Sequence, residues 1–492
     1  MHENISLITL ESLNLCTLAP TIVLCLGALV IICIEISIKG LSRNFYVGIS
    51  SLFLLGSLVC IISLGAEDET GFFNTMLIDG MSKLSHIIII AASLLFAPLA
   101  LCKKEFAEHK FAEYFALLLF MTAGFSFMAS TTNLILIFIG LETASLSLYA
   151  MIAMHNRKKA IEAALKYFTM GALASGFYAF GAMIFYAMTA SVDINEILIR
   201  LLNRDFYPLL GVMGALALIL GAMGFKLSLI PFHTWMPDVY EGSSAPLAGY
   251  ISVVPKIAAF VVTVRIFEPF IANNIVWAEN IFYLLAVVTM TLANLMALVQ
   301  TDVKRMLAFS SISHAAFILC AVLAGTEQAN SAIFVYWILF MFANMGAFAL
   351  LWAARNDTNL YDFRFQHPFI KFSGLIKTAP ITAVLMALFM LSLAGIPPFS
   401  VFWGKIYIMS AVINDGYIIL AVIMAINSAI AVYYYLKLIV YMFLKRPSEI
   451  DGKIYAQNAS LSVSIVVGIT AAVTLTAVLL AEPAMKLTSY FL

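Results

Sequence analysis

Charge is what this chain has least of. Only 11% of its 492 residues are Asp, Glu, Lys or Arg, and 27 basic residues balance 27 acidic ones. A soluble domain carries roughly a quarter charged residues. The shortage excludes a large water-soluble enzyme, and the zero net charge leaves no basic footprint for nucleic acid. Cysteine is sparse too. The six cysteines (Cys16, Cys25, Cys33, Cys60, Cys102, Cys320) form no C-x-x-C pair, so neither zinc nor iron–sulfur ligation is supported. The seven histidines form no intramembrane pair of the kind that would ligate haem. No metal or redox cofactor is expected in this chain. A secretory leader is missing as well: Glu3 and Glu11 stand where a basic n-region would be, and the first span is expected to be retained.

What the chain has instead is apolar surface. It is 63% hydrophobic, with a mean hydropathy of +1.00. A helix crosses the hydrocarbon core with about 20 apolar residues, and about fourteen runs meet that length. Spans 1 to 7 are read at 17–37, 45–64, 80–101, 112–129, 131–153, 163–189 and 208–232. Spans 8 to 14 are read at 246–267, 276–299, 306–324, 330–353, 378–413, 417–443 and 460–481. The expected fold is an all-α polytopic membrane protein. Its basic loops (Lys39 and Arg43; Lys103, Lys104 and Lys110; Arg157 to Lys159; Lys304 and Arg305; Arg355, Arg364, Lys371 and Lys377; Lys445, Arg446 and Lys453) all follow odd-numbered spans. The opposite face carries an acidic loop at Glu67, Asp68 and Glu69. The positive-inside bias then puts both termini outside, on the periplasmic face of a bacterial inner membrane.

Two spans read as broken helices. Span 7 holds Gly221, Gly224 and Lys226, then Pro231, His233, Pro237 and Asp238. Span 12 holds Gly395-Ile396-Pro397-Pro398 in its middle, then Gly404-Lys405. Interior proline removes a helix hydrogen bond, and in lipid the damage is tolerated only against protein or a water-filled cavity. Interrupted helices at matching places in two halves suggest an internal repeat with its site at the breaks. They stand five positions apart in the span order, an odd offset, so the repeat is expected to be inverted: spans 4–8 against spans 9–13. The expected organisation is a three-helix segment at 1–110, one five-helix unit at 111–268, a second at 269–445, and a terminal helix at 446–492.

Ionisable groups at bilayer depth are costly and usually line a path for ions or protons. Glu142 lies in mid-span, too deep to snorkel; its alternative is a structural ion pair. Lys226 is one turn before Pro231, and Glu142 is its natural partner. Making and breaking that pair would load and release a proton, because a nearby carboxylate favours the charged lysine; the alternative is a permanent salt bridge. Lys256 sits about ten residues into span 8, roughly 15 Å deep, beyond any snorkelling route. Lys405, beyond the second break, suits a terminal donor facing the exit, or snorkels to the outer interface. Lys166 is about one turn inside its span, where snorkelling rivals function. His233 and His314 are possible relays, although a lone helix histidine is more often just hydrogen-bonded. Asp238 and Glu241 could gather protons or cap helices. Lys437 reads as an interfacial anchor, and Glu35 as an i,i+4 partner of Lys39.

These residues also carry a resemblance. The stretch from Gly224-Phe225-Lys226 through Pro231-Phe232-His233-Thr234-Trp235-Met236-Pro237-Asp238-Val239-Tyr240-Glu241-Gly242, with Ala245-Pro246, resembles a signature of the antiporter-like, proton-conducting subunits of respiratory NADH dehydrogenase, complex I. Leu393-Ala394-Gly395-Ile396-Pro397-Pro398-Phe399 through Gly404-Lys405-Ile406-Tyr407 matches the second signature. The likeness runs from about span 4 to span 13 and is strongest to the N branch. Lysine at position 405 argues against the M branch, which carries glutamate there, and the chain leaves no room for the lateral helix of the L branch. One departure is the absence of a glycine in Ser400-Val401-Phe402-Trp403.

The resemblance implies that Glu142 and Lys226 form a switching pair modulated by Lys166. Lys256 would be the central relay and Lys405 the exit lysine. It implies partners too: a neighbouring antiporter-like M subunit, small K-, J- and A-type subunits, the lateral helix of the L subunit, and lipids. FMN, iron–sulfur clusters, NADH and quinone would belong to other subunits. The chain would move protons from cytoplasm to periplasm, driven by electron transfer elsewhere. Subunits of Mrp-type cation/proton antiporters and of membrane hydrogenases share both signatures, and stay open as the alternative. A structural scaffold with relict ion pairs, or a solute permease, are readings of other classes.

Overall fold

In a computed structural model of the chain, residues 13–65, 67–101, 111–155, 157–202, 209–273, 276–355, 366–446, 456–457 and 460–492 are described. Among them, 13 helices are long and apolar enough to cross a membrane, and Pro380–Ala394 is a shorter apolar helix. The protein is an all-α polytopic membrane protein. Lys103, Lys104, Lys110, Arg364, Lys453 and Cys102, used above, lie outside the described residues.

Several helices start where short polar side chains occupy the N-cap and accept the first free amide hydrogens. Asp79 accepts from Ser82 ahead of span 3, Asn133 from Ile135 and Leu136 ahead of span 5, and Asp302 from Lys304 and Arg305 ahead of span 10. Span 6 begins at Lys158 rather than at 163. Its first turns carry Lys158, Lys159 and Glu162, charges that a hydropathy reading trims away. Span 14 runs on to Phe491, well past 481, with Pro483 inside it.

The helix of span 7 stops at Leu227. Ser228 turns into the left-handed region (φ +60), and Leu229 N–H donates back to the Gly224 carbonyl at 2.8 Å. Helix resumes at Trp235 and runs to Gly242. Run 378–413 is two helices, Pro380–Ala394 and Ser400–Asn414, separated by a left-handed Gly395 (φ +79). A third interruption was not anticipated. Within span 8 the helix Ala245–Ile251 gives way at Ser252 and Val253 and restarts at Val254, with Pro255 in its first turn. Proline suits a first helical turn, whose amide has no partner inside the helix, so the residue that looks like a mid-span defect marks the start of a new helix. Lys256 therefore projects from a helix start.

Spans 8, 10 and 11 form the buried centre, while spans 1, 2, 6, 9, 13 and 14 turn most of their surface outward. Polar links tie the helices where lipid supplies no hydrophobic drive between them. Tyr250 Oη meets Ser93 and Thr122 at 3.0 and 3.3 Å. Asn294 donates to Asn427 at 3.1 Å and accepts from Tyr434 at 3.0 Å. Spans 4 and 5 touch backbone to backbone: a Cβ on Gly140 would stand 2.8 Å from the Gly124 carbonyl oxygen and 2.9 Å from Met128 N. Small residues permit such close approach, and this contact, two residues from Glu142, fixes where that carboxylate sits. Two short antiparallel pairings, Glu69–Gly71 with Met76–Ile78 and Ala354–Arg355 with Ala456–Gln457, complete the fold.

Candidate functional site

Three of the lysines singled out in the sequence are buried, and each is held by a neutral acceptor. Lys226 Nζ donates to Ser145 Oγ at 2.6 Å and lies 5.6 Å from the Tyr167 ring centroid. Lys256 Nζ donates to the Ser311 carbonyl at 2.7 Å and to Ser311 Oγ at 2.8 Å. Lys405 Nζ donates to the Ala394 carbonyl at 3.0 Å, the last residue of the helix before the second break, and lies 5.7 Å from the Phe317 centroid. Exposures of 3%, 1% and 6% leave none of them a route to solvent along its own side chain.

Glu142 is half-buried and accepts from Ser175 on span 6. Its carboxylate makes no ion pair with Lys226. Instead Lys226 reaches Ser145, one turn along the same helix from Glu142, and the Ser145 hydroxyl donates a hydrogen bond back to the Leu141 carbonyl. The acid and the amine are thus held by different serines, Ser175 and Ser145.

Lys166 is not gathered into that group. Its side chain is 45% exposed and bonds Glu162 at 2.7 Å and Asp238 at 3.0 Å. Arg305 reaches Asp238 and Glu241 at 2.8 Å each, and Lys159 meets Glu241 at 2.6 Å. Lys159, Glu162, Lys166, Asp238 and Glu241, with Ala163 and Gly242, line a polar cleft of about 170 Å³ at the end of the bundle that carries the basic loops. Partial burial pushes the Asp238 and Glu241 carboxyls up. Their hydrogen bonds and attraction to Arg305, Lys166 and Lys159 outweigh it and hold both below the ordinary carboxylate range. At neutral pH the cleft is a row of charged pairs.

His233 lies in the segment between the two helices of span 7, buried, its ring 6.4 Å from Phe309. Lys226 Nζ bonds Ser145 and not this histidine. His314 is deeper in the chain of polar groups. Its Nδ1 is 2.5 Å from Tyr336 Oη and its Nε2 3.1 Å from Tyr435 Oη, and Tyr435 in turn bonds Ser310. Phe317 stacks on Tyr336 with centroids 6.1 Å apart, and His314 is within electrostatic reach of both Lys256 and Lys405. Histidine and two tyrosines thus form one hydrogen-bonded cluster on spans 10, 11 and 13. Lys437 donates to the Leu298 and Gln300 carbonyls at 3.5 and 3.0 Å, at the end of span 9.

Hydrophobicity reasoning passed over the neutral members of this network: Ser145, Ser175, Ser311, Tyr336 and Tyr435. Each is a hydroxyl in a long apolar run, the one signal that could have found them. It also passed over two buried cations. Lys83 donates to the Glu67 carbonyl, and Arg265 pairs with Asp79 at 2.7 Å. Among the described residues no group of three or more His, Cys, Asp or Glu sits together to hold a metal ion.

Residues 131–431 match the family described as NADH:quinone oxidoreductase/Mrp antiporter, TM. The chain is 56% identical to the NADH-quinone oxidoreductase subunit N of Sulfurimonas denitrificans, over 94% of each. It is 53% identical to the subunit N of Sulfurovum sp., over 99% of this chain and 98% of that one. A chain of respiratory complex I from Thermus thermophilus superposes with a TM-score of 0.80 at 28% identity, over 96% of this chain and 100% of that one. A chain of the Mrp complex from Dietzia has the same fold, with a TM-score of 0.83 at 21% identity, over 98% of this chain and 97% of that one. The relatives that share more than half of their residues with this chain are NADH-quinone oxidoreductase N subunits, and the chain belongs to the NADH:quinone oxidoreductase/Mrp antiporter membrane family, in its NADH-quinone oxidoreductase subunit N branch.

Proposed function

We propose that this chain translocates protons from the cytoplasm to the periplasm, as a membrane-arm subunit of a bacterial NADH:quinone oxidoreductase. One observation carries the reading: Lys226, Lys256 and Lys405 are buried at bilayer depth and held only by neutral acceptors. A structural ion pair would bring each lysine a carboxylate, because an unpaired buried charge is strongly unfavourable. Lysines held by hydroxyls and carbonyls suit a group that takes up and gives away a proton. Lys256 is the central relay and Lys405 the exit donor, with His314 within reach of both. Glu142 and Lys226 form the switch, with Lys226 on Ser145 and Glu142 on Ser175 in this state; bringing the two together favours the protonated lysine and parting them drives the proton onward.

The likeness of the two units supports an inverted repeat. Each has a tightly packed opening pair, spans 4 with 5 and 9 with 10, and each has an interrupted helix with a buried lysine. Both termini are periplasmic. FMN, iron–sulfur clusters, NADH and quinone are bound by partner subunits, and the neighbours in the membrane are the M subunit, the small K-, J- and A-type subunits and the lateral helix of the L subunit.

Lys256→Met keeps the length of the side chain and removes its proton. In the assembled oxidoreductase, reconstituted in vesicles, it is expected to abolish this chain's share of pumping without loss of subunits. An unchanged proton-to-electron ratio and unchanged turnover would remove Lys256 from the path.

A further inference from the structure

The breaks in spans 7 and 12 satisfy their backbone amides differently. A break in a membrane helix frees amides that lipid cannot serve, so each needs a partner in the protein. At the second break the partners are local. Gly395 N–H donates to the Ser392 carbonyl at 2.9 Å, Ile396 N–H to the Leu391 carbonyl at 3.1 Å and Phe399 N–H to the Ile396 carbonyl at 3.2 Å. Pro397 and Pro398 have no amide to satisfy. At the first break Ser228 N–H donates to the Phe225 carbonyl at 3.1 Å and Leu229 N–H to the Gly224 carbonyl at 2.8 Å. The next amide, that of Ile230, leaves its own segment and donates to Thr289 Oγ1 at 3.1 Å. Pro231 follows and has none. Trp235 Nε1 closes the turn from its far side, donating to the Phe225 carbonyl at 3.0 Å. Lys226 follows directly on the two residues whose carbonyls are tied. The turn that bears it is therefore held to another span at Ile230, by one threonine.

Thr289 is fully buried in span 9, outside spans 4–8. Two further polar residues of span 9 face span 13. Thr291 Oγ1 accepts from Asn427 Nδ2 at 3.2 Å, Asn294 Nδ2 donates to Asn427 Oδ1 at 3.1 Å, and Asn294 Oδ1 accepts from Tyr434 Oη at 3.0 Å. Residues 289 and 291 project about 200° apart on a helix. The Tyr434 ring lies 4.6 Å from that of Tyr435, and Tyr435 bonds His314. Span 9 is thus fastened on one face to the turn beside Lys226 and on the other to the helix that carries the tyrosine on His314. We propose that Thr289 is a positioning residue for Lys226, through which span 9 sets the turn that bears the lysine. The assignment rests on the proton-transfer reading of Lys226. Thr289 acts through the Ile230 amide. Holding that amide fixes the direction in which Lys226 leaves the helix Leu209–Leu227 towards Ser145. A shift of span 9 against span 13 then moves the lysine relative to its serine.

The test compares Thr289→Val, Thr289→Ser, Thr470→Val and Lys226→Met in the intact oxidoreductase, reconstituted in vesicles. Coupled turnover, its pH profile, the proton-to-electron ratio and amide hydrogen exchange over residues 228–234 are measured. Thr289→Val keeps the shape of the side chain and removes the acceptor. It is expected to lower coupled turnover about tenfold or more, the scale of a misplaced reacting group, and to speed exchange within 228–234. It is also expected to move the midpoint of the pH profile, because the proton affinity of a lysine depends on what surrounds its amine. Thr289→Ser keeps the oxygen and is expected to restore all three. Thr470→Val removes a buried hydroxyl whose bonds run to Val466 and Val467 of its own helix, and is expected to match the wild type. If Thr289→Val fails to assemble, Thr289→Ala against Thr289→Ser decides, because those two differ by one hydroxyl. Wild-type turnover and exchange in Thr289→Val, with Lys226→Met defective, would overturn the positioning role and leave the proton-transfer reading standing. Lower turnover with an unmoved pH profile would reduce Thr289 to a structural contact and overturn the role as well. Wild-type pumping in Lys226→Met would overturn both.

Discussion

The interruptions at Leu227–Trp235 and Ala394–Ser400 are built from similar residues and use their lysines differently. Lys226 precedes its break and reaches out to another helix, to Ser145 on span 5. Lys405 follows its break and turns back onto its own, donating to the Ala394 carbonyl, where the first helix leaves its last carbonyls free. A cation at a helix C-terminus satisfies those carbonyls and meets the favourable end of the helix dipole. One lysine is therefore a bridge between two helices. The other is also part of what holds its broken helix together. The first break keeps its shape without its lysine, while the second cannot lose its lysine without leaving the Ala394 carbonyl unpartnered.

The largest expected difference comes from removing the two amines. Lys405→Met is expected to lose pumping and also to destabilise the subunit by about 1–3 kcal/mol, the cost of a buried carbonyl left without a donor. Lys226→Met is expected to lose pumping at no cost in stability. Ser145 keeps its bond to the Leu141 carbonyl, so no buried carbonyl is left without a donor, whereas Lys405→Met strands the Ala394 carbonyl. Thermal denaturation of the purified complex, read beside its turnover, separates the two. Equal melting temperatures for the two variants would erase the asymmetry.

The next test moves from the lysines to the glycines beside them. Gly395 has φ +79, and an added Cβ would stand 2.8 Å from both Cδ and Nζ of Lys405. Gly224 sits in helix, and its Cβ would meet only the Phe232 ring edge at 2.8 Å. Gly395→Ala is therefore expected to cost about 1–2 kcal/mol in left-handed strain and to push Lys405 off the Ala394 carbonyl. Gly224→Ala asks only that one ring shift. Turnover should fall further in Gly395→Ala, and a larger loss in Gly224→Ala would show that the first break is the more tightly constrained.

This asymmetry also marks where sequence reasoning reaches and where it stops. The apolar runs, the prolines and the isolated lysines are one-dimensional signals, because lipid imposes length on a span and a high cost on charge. The positions of Lys226, Lys256 and Lys405 follow from them. What each amine bonds does not, because its partner is a neutral hydroxyl or carbonyl on a helix distant in sequence. Glu142 is the natural partner of Lys226 by charge, yet Ser145 receives the bond. Lys166 is drawn to Glu162 and Asp238 instead of to Glu142, because span 6 starts earlier than its hydropathy suggests and leaves the lysine beside the cleft. Pro255 reads as a defect in mid-span and is the first turn of a new helix. In that case the sequence carries the information and the apolar pattern hides it.

The smallest expected effect concerns the cleft, which flanks the first break. Asp238 and Glu241 are held below their ordinary values of 3.8 and 4.5. A depressed carboxyl contributes stability that is fully present above its unfolded value and is lost as pH falls through the folded one. The contribution of the cleft to stability should therefore be flat over roughly pH 5–8 and fade only below about pH 4. Asp238→Asn breaks pairs to Arg305 and Lys166 that are 31% and 45% exposed. Solvent screens such pairs, and the expected loss is about 0–1 kcal/mol. The sharper readout is the pH profile of coupled turnover. If Asp238 collected and stored protons, its removal would move the profile near neutral pH. A carboxylate that stays ionised throughout that range stores none, so Asp238→Asn should lower the rate modestly at every pH and leave the midpoint where it was. A shifted midpoint would make the cleft a titrating element of the path. An unshifted one keeps it as a charged mouth that holds the helix Trp235–Gly242 in place.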